Sequence, residues 1–324
     1  MKTFEEIYNE IQSVDNSEIN IAWKEAKEER KKAHKRGVIT CVTLDGTIFA
    51  IFTLLMLFTD IKELDGGYPL LLPMIFPLLI INLLIYLLTI SFTNKKQKEF
   101  RKIYKESIIS NLINNFFTNV EYFSEKQMPK YIYNEVRYES YDRYHSDDYF
   151  EGQLDNKYGV QMGEVKTEEV ETRRDAQGRT TTTTRTVFSG LFGKIILNKS
   201  INSELRIMQN GKLFFNKERI KMDSNEFEKY FDVKATNQIL GMQLLTADVM
   251  QDLIDFQNEN NIRYDIVIKN DVLYLRFHCG RIFEPTNIKN EMIDKKMLEK
   301  HYNVLKFTNV LTEKIINLIN ETEF

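Results

Sequence analysis

Two long apolar runs near the start of the chain constrain its fold more than any other feature. The first extends from Gly37 to Thr59 and the second from Tyr68 to Phe92, and a short polar connection joins them. A helix needs about 20 apolar residues to cross the roughly 30 Å hydrocarbon core of a bilayer. The pattern predicts a transmembrane hairpin at 37–92, with helices at about 38–59 and 69–92. A hairpin buried inside a large soluble protein is the alternative.

Basic residues crowd the outer ends of both runs, whereas the connection carries Lys62 beside Asp60, Glu63 and Asp65. The basic flanks consist of Lys24, Lys27, Arg30, Lys31, Lys32, Lys35 and Arg36 before the first run, and of Lys95, Lys96, Lys98, Arg101, Lys102 and Lys105 after the second. Lys and Arg accumulate on the cytoplasmic side of membrane spans. The charges therefore predict a multi-pass protein of the cell membrane with both termini in the cytoplasm. Attraction of the same residues to anionic lipid is a further role for them.

Asp45 is the acidic residue within the first run. A carboxyl group inside a membrane is costly and is a functional candidate by default. In an antiparallel hairpin, Asn82 and Tyr86 of the second run reach a similar depth, so a hydrogen bond from either to Asp45 would join the two helices. Three interpretations stay open: this structural pairing, an Asp45 side chain that reaches the membrane surface or a span that is shifted along the sequence, and an ion or proton role.

The rest of the chain reads as water-soluble. It is predicted to comprise N-terminal cytoplasmic helices at 1–36, an amphipathic stalk helix at 93–129, a cytoplasmic α+β domain at 130–285 and a C-terminal amphipathic helix at 286–324. Aromatic and β-branched segments separated by turn residues indicate that the domain is mostly antiparallel β, with one internal helix. The predicted fold class is thus α+β, with a two-helix membrane hairpin and long flanking amphipathic helices.

Several elements of the domain are predicted individually. Tyr131–Tyr133 reads as a strand, Gly163–Arg174 and Arg179–Phe188 as a long hairpin, and Leu244–Asn258 as a helix capped by Thr246. The threonine run in the hairpin is interpreted as a solvated, β-prone ribbon. A phosphoacceptor tract, or an edge that pairs with a partner's strand, is the alternative.

Motifs with known chemistry are scarce. The sequence has no GxxxxGK[ST] or GxGxxG pattern, and Cys41 and Cys279 are too far apart to form a metal knuckle. A net charge of −3 without a basic stripe argues against nucleic acid as a partner. No catalytic or cofactor-binding residue is identified.

The most site-like cluster comprises Asp142, His145, Asp147 and Asp148. Carboxylate oxygens and an imidazole are suited to a divalent ion, so these residues are candidate metal ligands. A solvated loop that precedes a strand at Tyr149 is the simpler interpretation, and no metal is assigned on the sequence alone.

Five segments form a recognisable set. They are Phe188-Ser-Gly-Leu-Phe192, Phe227-Glu-Lys-Tyr-Phe231-Asp-Val233, Leu244-Leu-Thr246-Ala-Asp-Val-Met250, Leu273-Tyr-Leu275 and Phe283-Glu-Pro285. Through them the chain resembles a bacterial family, domain of unknown function 3137, with Ala247 a departure from the proline that is common there. The resemblance implies a two-span membrane protein over most of the chain and no settled activity. It also implies a membrane protein of the LemA type as a partner.

These observations favour a membrane-tethered cytoplasmic binding or scaffold module over an enzyme. Its expected partners are the lipid bilayer, another membrane or cytoplasmic protein, or further copies of itself. The first alternative is a metal-dependent enzyme that uses the Asp142–Asp148 cluster. The second is an oligomeric membrane conduit built on the hairpin.

Overall fold

The computed structural model describes residues 1–13, 17–58, 80–85, 87, 94–136, 138–174, 178–211, 219–285 and 291–321. The chain divides into two compact units. The larger contains Met1–Val14, Lys105–Pro285 and Ile293–Phe324, and the smaller contains Asp15–Tyr104 and Thr286–Met292.

The larger unit is built on one nine-stranded sheet. The strands are β1 Thr118–Phe123, β2 Arg143–Leu154, β3 Tyr158–Arg174, β4 Thr180–Ile196, β5 Glu204–Gln209, β6 Arg219–Ile220, β7 Phe231–Ala235, β8 Arg263–Lys269 and β9 Val272–His278. They lie in the order β1-β2-β3-β4-β9-β8-β5-β7-β6, and all neighbouring strands are antiparallel. This architecture confirms the predicted α+β class and the mostly antiparallel sheet.

Long hairpins connect the central strands. Along their strands, successive side chains point to opposite faces of the sheet. The predicted hairpin is confirmed as β3 and β4, which pair from Val160–Ile195 to Arg174–Thr180. Residues 175–177, within the predicted turn, lie outside the described residues. In the β8–β9 hairpin, Asn270 has a φ of +55°, a left-handed conformation that asparagine tolerates in tight turns.

Helices cover one face of the sheet. The predicted internal helix is confirmed as Ala247–Asn260, and Thr246 caps it by accepting a hydrogen bond from the Val249 amide. The helix Lys295–Glu321 packs beside it, where the rings of Phe307 and Phe256 stack with centroids 3.9 Å apart. The N-terminal helix Phe4–Ser13 packs on this last helix through aromatic rings.

The opposite face is also covered, by the helix Lys130–Asn134 and the aromatic residues around Tyr133. The predicted strand at Tyr131–Tyr133 is therefore wrong: Pro129 precedes a single helical turn that buries Ile132 and Tyr133. Burial on both faces also explains why Asp265 of β8 lies inside the protein. The buried Arg276 guanidinium pairs with it at 2.5 Å.

The predicted stalk helix at 93–129 is wrong beyond Asn114. Helices occupy Asn94–Tyr104 and Ser110–Asn114, with a π-helical segment at Lys105–Ile109 between them, and Thr118–Phe123 forms the edge strand β1. The apolar spacing of this segment fits a helix, but pairing with β2 satisfies its backbone instead.

The smaller unit contains the helix Ser17–Phe58, which includes residues 37–58 of the first apolar run, and further helical residues at 80–85 and 87. Lys96 Nζ lies 2.9 Å from Glu25 Oε2 within this unit. Most of the predicted second span, including Tyr86, lies outside the described residues. In the part of the chain that is described, no helix combines the length and apolarity needed to cross a membrane.

Candidate functional site

Asp147 and Asp148 lie in strand β2 and not in a loop. Register shifts between Asp147, which faces Glu164, and Phe150, which faces Met162, so β2 bulges at this point. Asp148 takes a φ of +53° in the bulge. A bulge redirects side chains from their regular alternation, and here it accompanies a fully buried Asp148 beside a partly exposed Asp147.

The other two residues of the predicted cluster, Asp142 and His145, do not belong to the group of buried acids. Asp142 Oδ2 accepts a hydrogen bond from the Val170 amide at 2.6 Å, at the edge of β3. The side chain of His145 is 61% exposed and lies 3.8 Å from Glu168. Asp142 therefore lies apart from the paired aspartates, whereas His145 lines a cavity together with Asp147.

Glu164 of β3 joins the two aspartates. One carboxylate oxygen from each of Asp147, Asp148 and Glu164 lies within 4.8 Å of the others. Oxygens bound to one calcium ion at about 2.4 Å can be separated by no more than about 4.8 Å, so this spacing is compatible with a shared ion.

Two cationic side chains hold this group of acids. Lys105 Nζ lies 2.6 Å from Asp148 Oδ2 and 3.0 Å from Glu284 Oε1. Arg281 contacts Asp147 through Nη2, and the same nitrogen lies 3.1 Å from Glu284 Oε1. Asp147, Asp148, Glu164 and Glu284 are hereafter the acid cluster, with Lys105 and Arg281 as its counterions.

Glu164 is the least satisfied member of the acid cluster. Its side chain is 3% exposed, and Oε1 accepts a hydrogen bond from the Phe283 amide at 2.6 Å. Oε2 is buried and accepts no hydrogen bond from the described residues, and Arg281 Nε lies 3.7 Å away. Burial, and next the charge of Asp148, raise the pKa of Glu164 to about 8.

Burial also raises the pKa of Asp148, although Lys105 opposes the shift. The phenol of Tyr122 donates a hydrogen bond to the second oxygen of Asp148. Asp148 is thus held from two sides, by an ammonium group and by a hydroxyl group.

The acid cluster opens into a cavity of about 390 Å³. Asp147, Glu164 and Arg281 line it together with Gln127, His145, Ser146, Val165, Lys166, Ser189, Gly190 and Gly280. Lys166 is paired with Glu168 at 2.5 Å. Asp147 and Glu164 of the acid cluster can therefore be reached by a small ligand in the cavity, although Glu164 itself is almost fully buried.

Several residues of the acid cluster and its counterions were not predicted as site residues from the sequence. Glu164 and Arg281 carry no local motif, and Lys105 reads as part of the basic flank, although it is 5% exposed and bound to acids. Glu284 had a signal, since it lies in the Phe283–Pro285 segment that carries the family resemblance. Lys105 is therefore a counterion of buried acids and not a solvent-exposed residue of the basic flank.

The predicted contact between Asp45 and Asn82 is present in the smaller unit. Asn82 Nδ2 donates a hydrogen bond to Asp45 Oδ1 at 2.6 Å, and Cys41 Sγ lies 3.6 Å from the Asn82 carbonyl oxygen. This geometry is the structural pairing among the three interpretations of Asp45. An ion or proton role for Asp45 stays a prediction.

The fold and the cavity define an α+β domain with a nine-stranded antiparallel sheet and a carboxylate-lined site. Residues 186–317 match the family described as Protein of unknown function (DUF3137). The match confirms the resemblance for this part of the chain and does not reach the predicted membrane hairpin. No curated protein and no solved structure shows significant similarity to the chain.

Segments that carry the resemblance meet at the cavity. Gly190 of the Phe188–Phe192 segment lines it, and Glu284 of the Phe283–Pro285 segment binds both counterions. A Cβ atom at Gly190 would lie 1.8 Å from the Phe277 carbonyl oxygen, so this position accepts only glycine. These segments thus shape the site as well as the core.

Proposed function

We propose that the chain is a membrane-tethered binding module whose α+β domain binds a divalent cation in the carboxylate-lined cavity. The observation that carries the proposal is the buried Glu164 Oε2, which accepts no hydrogen bond from the described residues. One carboxylate oxygen of Glu164 lies within 4.8 Å of one oxygen each of Asp147 and Asp148. A buried polar atom is costly unless it is paired, and a divalent cation bound to these oxygens would supply the partner.

The donor atoms indicate the class of ion. Asp147, Asp148 and Glu164 offer only carboxylate oxygens, and the described residues that line the cavity add the imidazole of His145 but no cysteine. Hard oxygen ligands suit Ca²⁺, Mg²⁺ or Mn²⁺ better than Zn²⁺ or Cu²⁺. The unbonded Glu164 Oε2 is the oxygen best placed to bind first, because it has no hydrogen bond from the described residues to lose.

Arg281 acts as the exchangeable counterion. Its side chain is 52% exposed, whereas that of Lys105 is 7% exposed. Moving an exposed arginine costs little, since surface ion pairs contribute about 0–1 kcal/mol each. A cation that enters the cavity displaces Arg281 from Asp147, and Lys105 stays as a fixed positive charge behind Asp148.

The membrane tether is supported by the sequence of the hairpin. Two runs of apolar residues with basic outer flanks support a hairpin in the cell membrane with both termini in the cytoplasm. A hydrogen bond between Asp45 and Asn82 is the contact that would hold two such helices together, because a polar group in hydrocarbon needs a partner.

Titration calorimetry of the full chain in mild detergent tests the cation site. Mg²⁺, Ca²⁺ and Mn²⁺ are added separately to the wild type, to Glu164→Gln and to Asp142→Asn. Asp142 is a matched control because it comes from the same stretch of sequence but binds the Val170 amide instead. We expect saturable binding of at least one ion, a loss of at least about tenfold in affinity for Glu164→Gln, and no change for Asp142→Asn. Equal affinity in all three proteins, or no saturable binding, would refute the site.

A metal-dependent enzyme is the second candidate, favoured by the size of the cavity. A volume of about 390 Å³ leaves room for a small substrate beside an ion. Turnover that requires the added ion and is abolished by Glu164→Gln would establish it, whereas binding of the ion without turnover of a hydrolase substrate panel supports the binding module.

A further inference from the structure

The β3–β4 hairpin continues past the rest of the sheet as a two-stranded ribbon. Strand β2 pairs with β3 only as far as Glu168, and β9 pairs with β4 only from Leu191. Residues 180–186 of β4 pair with β3 on one side, and all seven are exposed. Within the described residues, no strand lies along their other edge.

The two edges of the ribbon differ in how they are protected. Asp142 binds the Val170 amide on the β3 edge, and that edge carries Glu169, Glu171 and Arg173. Natural proteins protect free edges with lysine, proline, bulges or charge. The β4 edge has five consecutive threonines at 180–184 without proline or lysine, so its backbone is open to a further strand.

Charge on the β4 edge is neutralised within the ribbon. Arg185 Nη2 lies 2.7 Å from Glu169 Oε2 of β3. Two such edges therefore approach each other without strong repulsion, and threonine is among the residues that form favourable cross-strand pairs.

We propose that β4 is a self-association surface at which a second copy of this chain adds its own β4 in the antiparallel sense, with Thr183 opposite Thr183. This register places Arg185 opposite Thr181. The register centred on Thr182 would instead place Arg185 opposite Arg179, and like charges directly opposite are destabilising. Self-pairing converts two ribbons that are marginal alone into one four-stranded sheet. The proposal does not depend on cation binding in the cavity.

Disulfide cross-linking of the full chain in mild detergent tests the surface. Thr183→Cys and Thr180→Cys are compared in a background with Cys41→Ser and Cys279→Ser, the free cysteines of the chain. At the symmetry axis, opposite Cα atoms are about 4.5–5.5 Å apart, within the range for a disulfide. Two copies of residue 180 would be about 20 Å apart, since they are six residues out of register.

We expect rapid, concentration-dependent formation of a covalent dimer by Thr183→Cys and at least about tenfold slower formation by Thr180→Cys. Equal rates for the two variants, or no dimer from either, would overturn the proposal. Both threonines are exposed, so neither substitution disturbs the core.

Discussion

Lys105 Nζ lies 2.6 Å from Asp148 Oδ2, and both side chains are buried in the larger unit. Lys105 belongs to a π-helical segment and Asp148 to a bulge of β2, so two irregular elements bring the pair together. Irregular backbone of this kind is concentrated at functional sites. The pair therefore indicates that the acid cluster is formed by specific buried elements of the domain and is not a chance grouping of surface charges.

Lys105→Met should destabilise the protein in the absence of divalent ions. Asp148 and Glu284 would lose their shared ammonium group, and breaking one side of a buried ion pair costs about 3–5 kcal/mol. Urea unfolding at neutral pH with a chelator measures this loss. Ca²⁺ or Mg²⁺ should restore more stability to this variant than to the wild type. Lys157→Met, at an exposed lysine, is the control, and equal stability of the two variants would contradict the buried pair.

Arg281→Gln should raise the affinity for the divalent cation by about tenfold, because an internal competitor for Asp147 and Glu284 is removed. Calorimetry with the ion that binds the wild type provides the measurement. Arg185→Gln, on the ribbon, should leave the affinity unchanged. A fall in affinity for Arg281→Gln would show that the guanidinium supports the ion and is not exchanged for it.

Gly190→Ala should lower the free energy of unfolding by several kcal/mol and Tm by about 10 °C, because the new Cβ would meet the Phe277 carbonyl oxygen at 1.8 Å. Gly159→Ala on β3 is a suitable comparison, since its Cβ would have Ile196 Cδ1 as nearest neighbour at 3.5 Å. Thermal unfolding followed by circular dichroism distinguishes them. Similar Tm values for the Gly190→Ala and Gly159→Ala variants would contradict the prediction, since they would mean that β4 and β9 can move apart with little loss of stability.

His301→Phe should reduce the sensitivity of the protein to acid. His301 is buried against the Phe283 ring, and burial lowers its pKa to about 3. The unfolded chain binds a proton there near pH 6.5, so stability is fully present above that pH and falls by about 1.4 kcal/mol per pH unit below it. Urea unfolding at pH 7 and pH 5 should show a decrease about 2 kcal/mol smaller in the variant. His145→Gln, at an exposed histidine, should show the wild-type decrease.

Local signals in the sequence were sufficient where one element decides its own conformation. The β3–β4 hairpin and the helix Ala247–Asn260 with its Thr246 cap follow from alternation and capping. Local signals gave the wrong secondary structure at Tyr131–Tyr133 and at Thr118–Phe123. Partner elements that are distant in sequence determine whether those residues form helix or strand.

The amino-acid sequence by itself determined the α+β class, the long threonine ribbon and half of the acid cluster. Only the tertiary structure decided that Asp147 and Asp148 belong with Glu164 and Glu284, while Asp142 does not. The physical reason is that these carboxylates come from separate segments and are brought together by strand pairing and a bulge, which leave no pattern in the sequence. The same holds for Lys105, because a lysine in a basic run and a lysine buried between two acids look alike until the chain is folded.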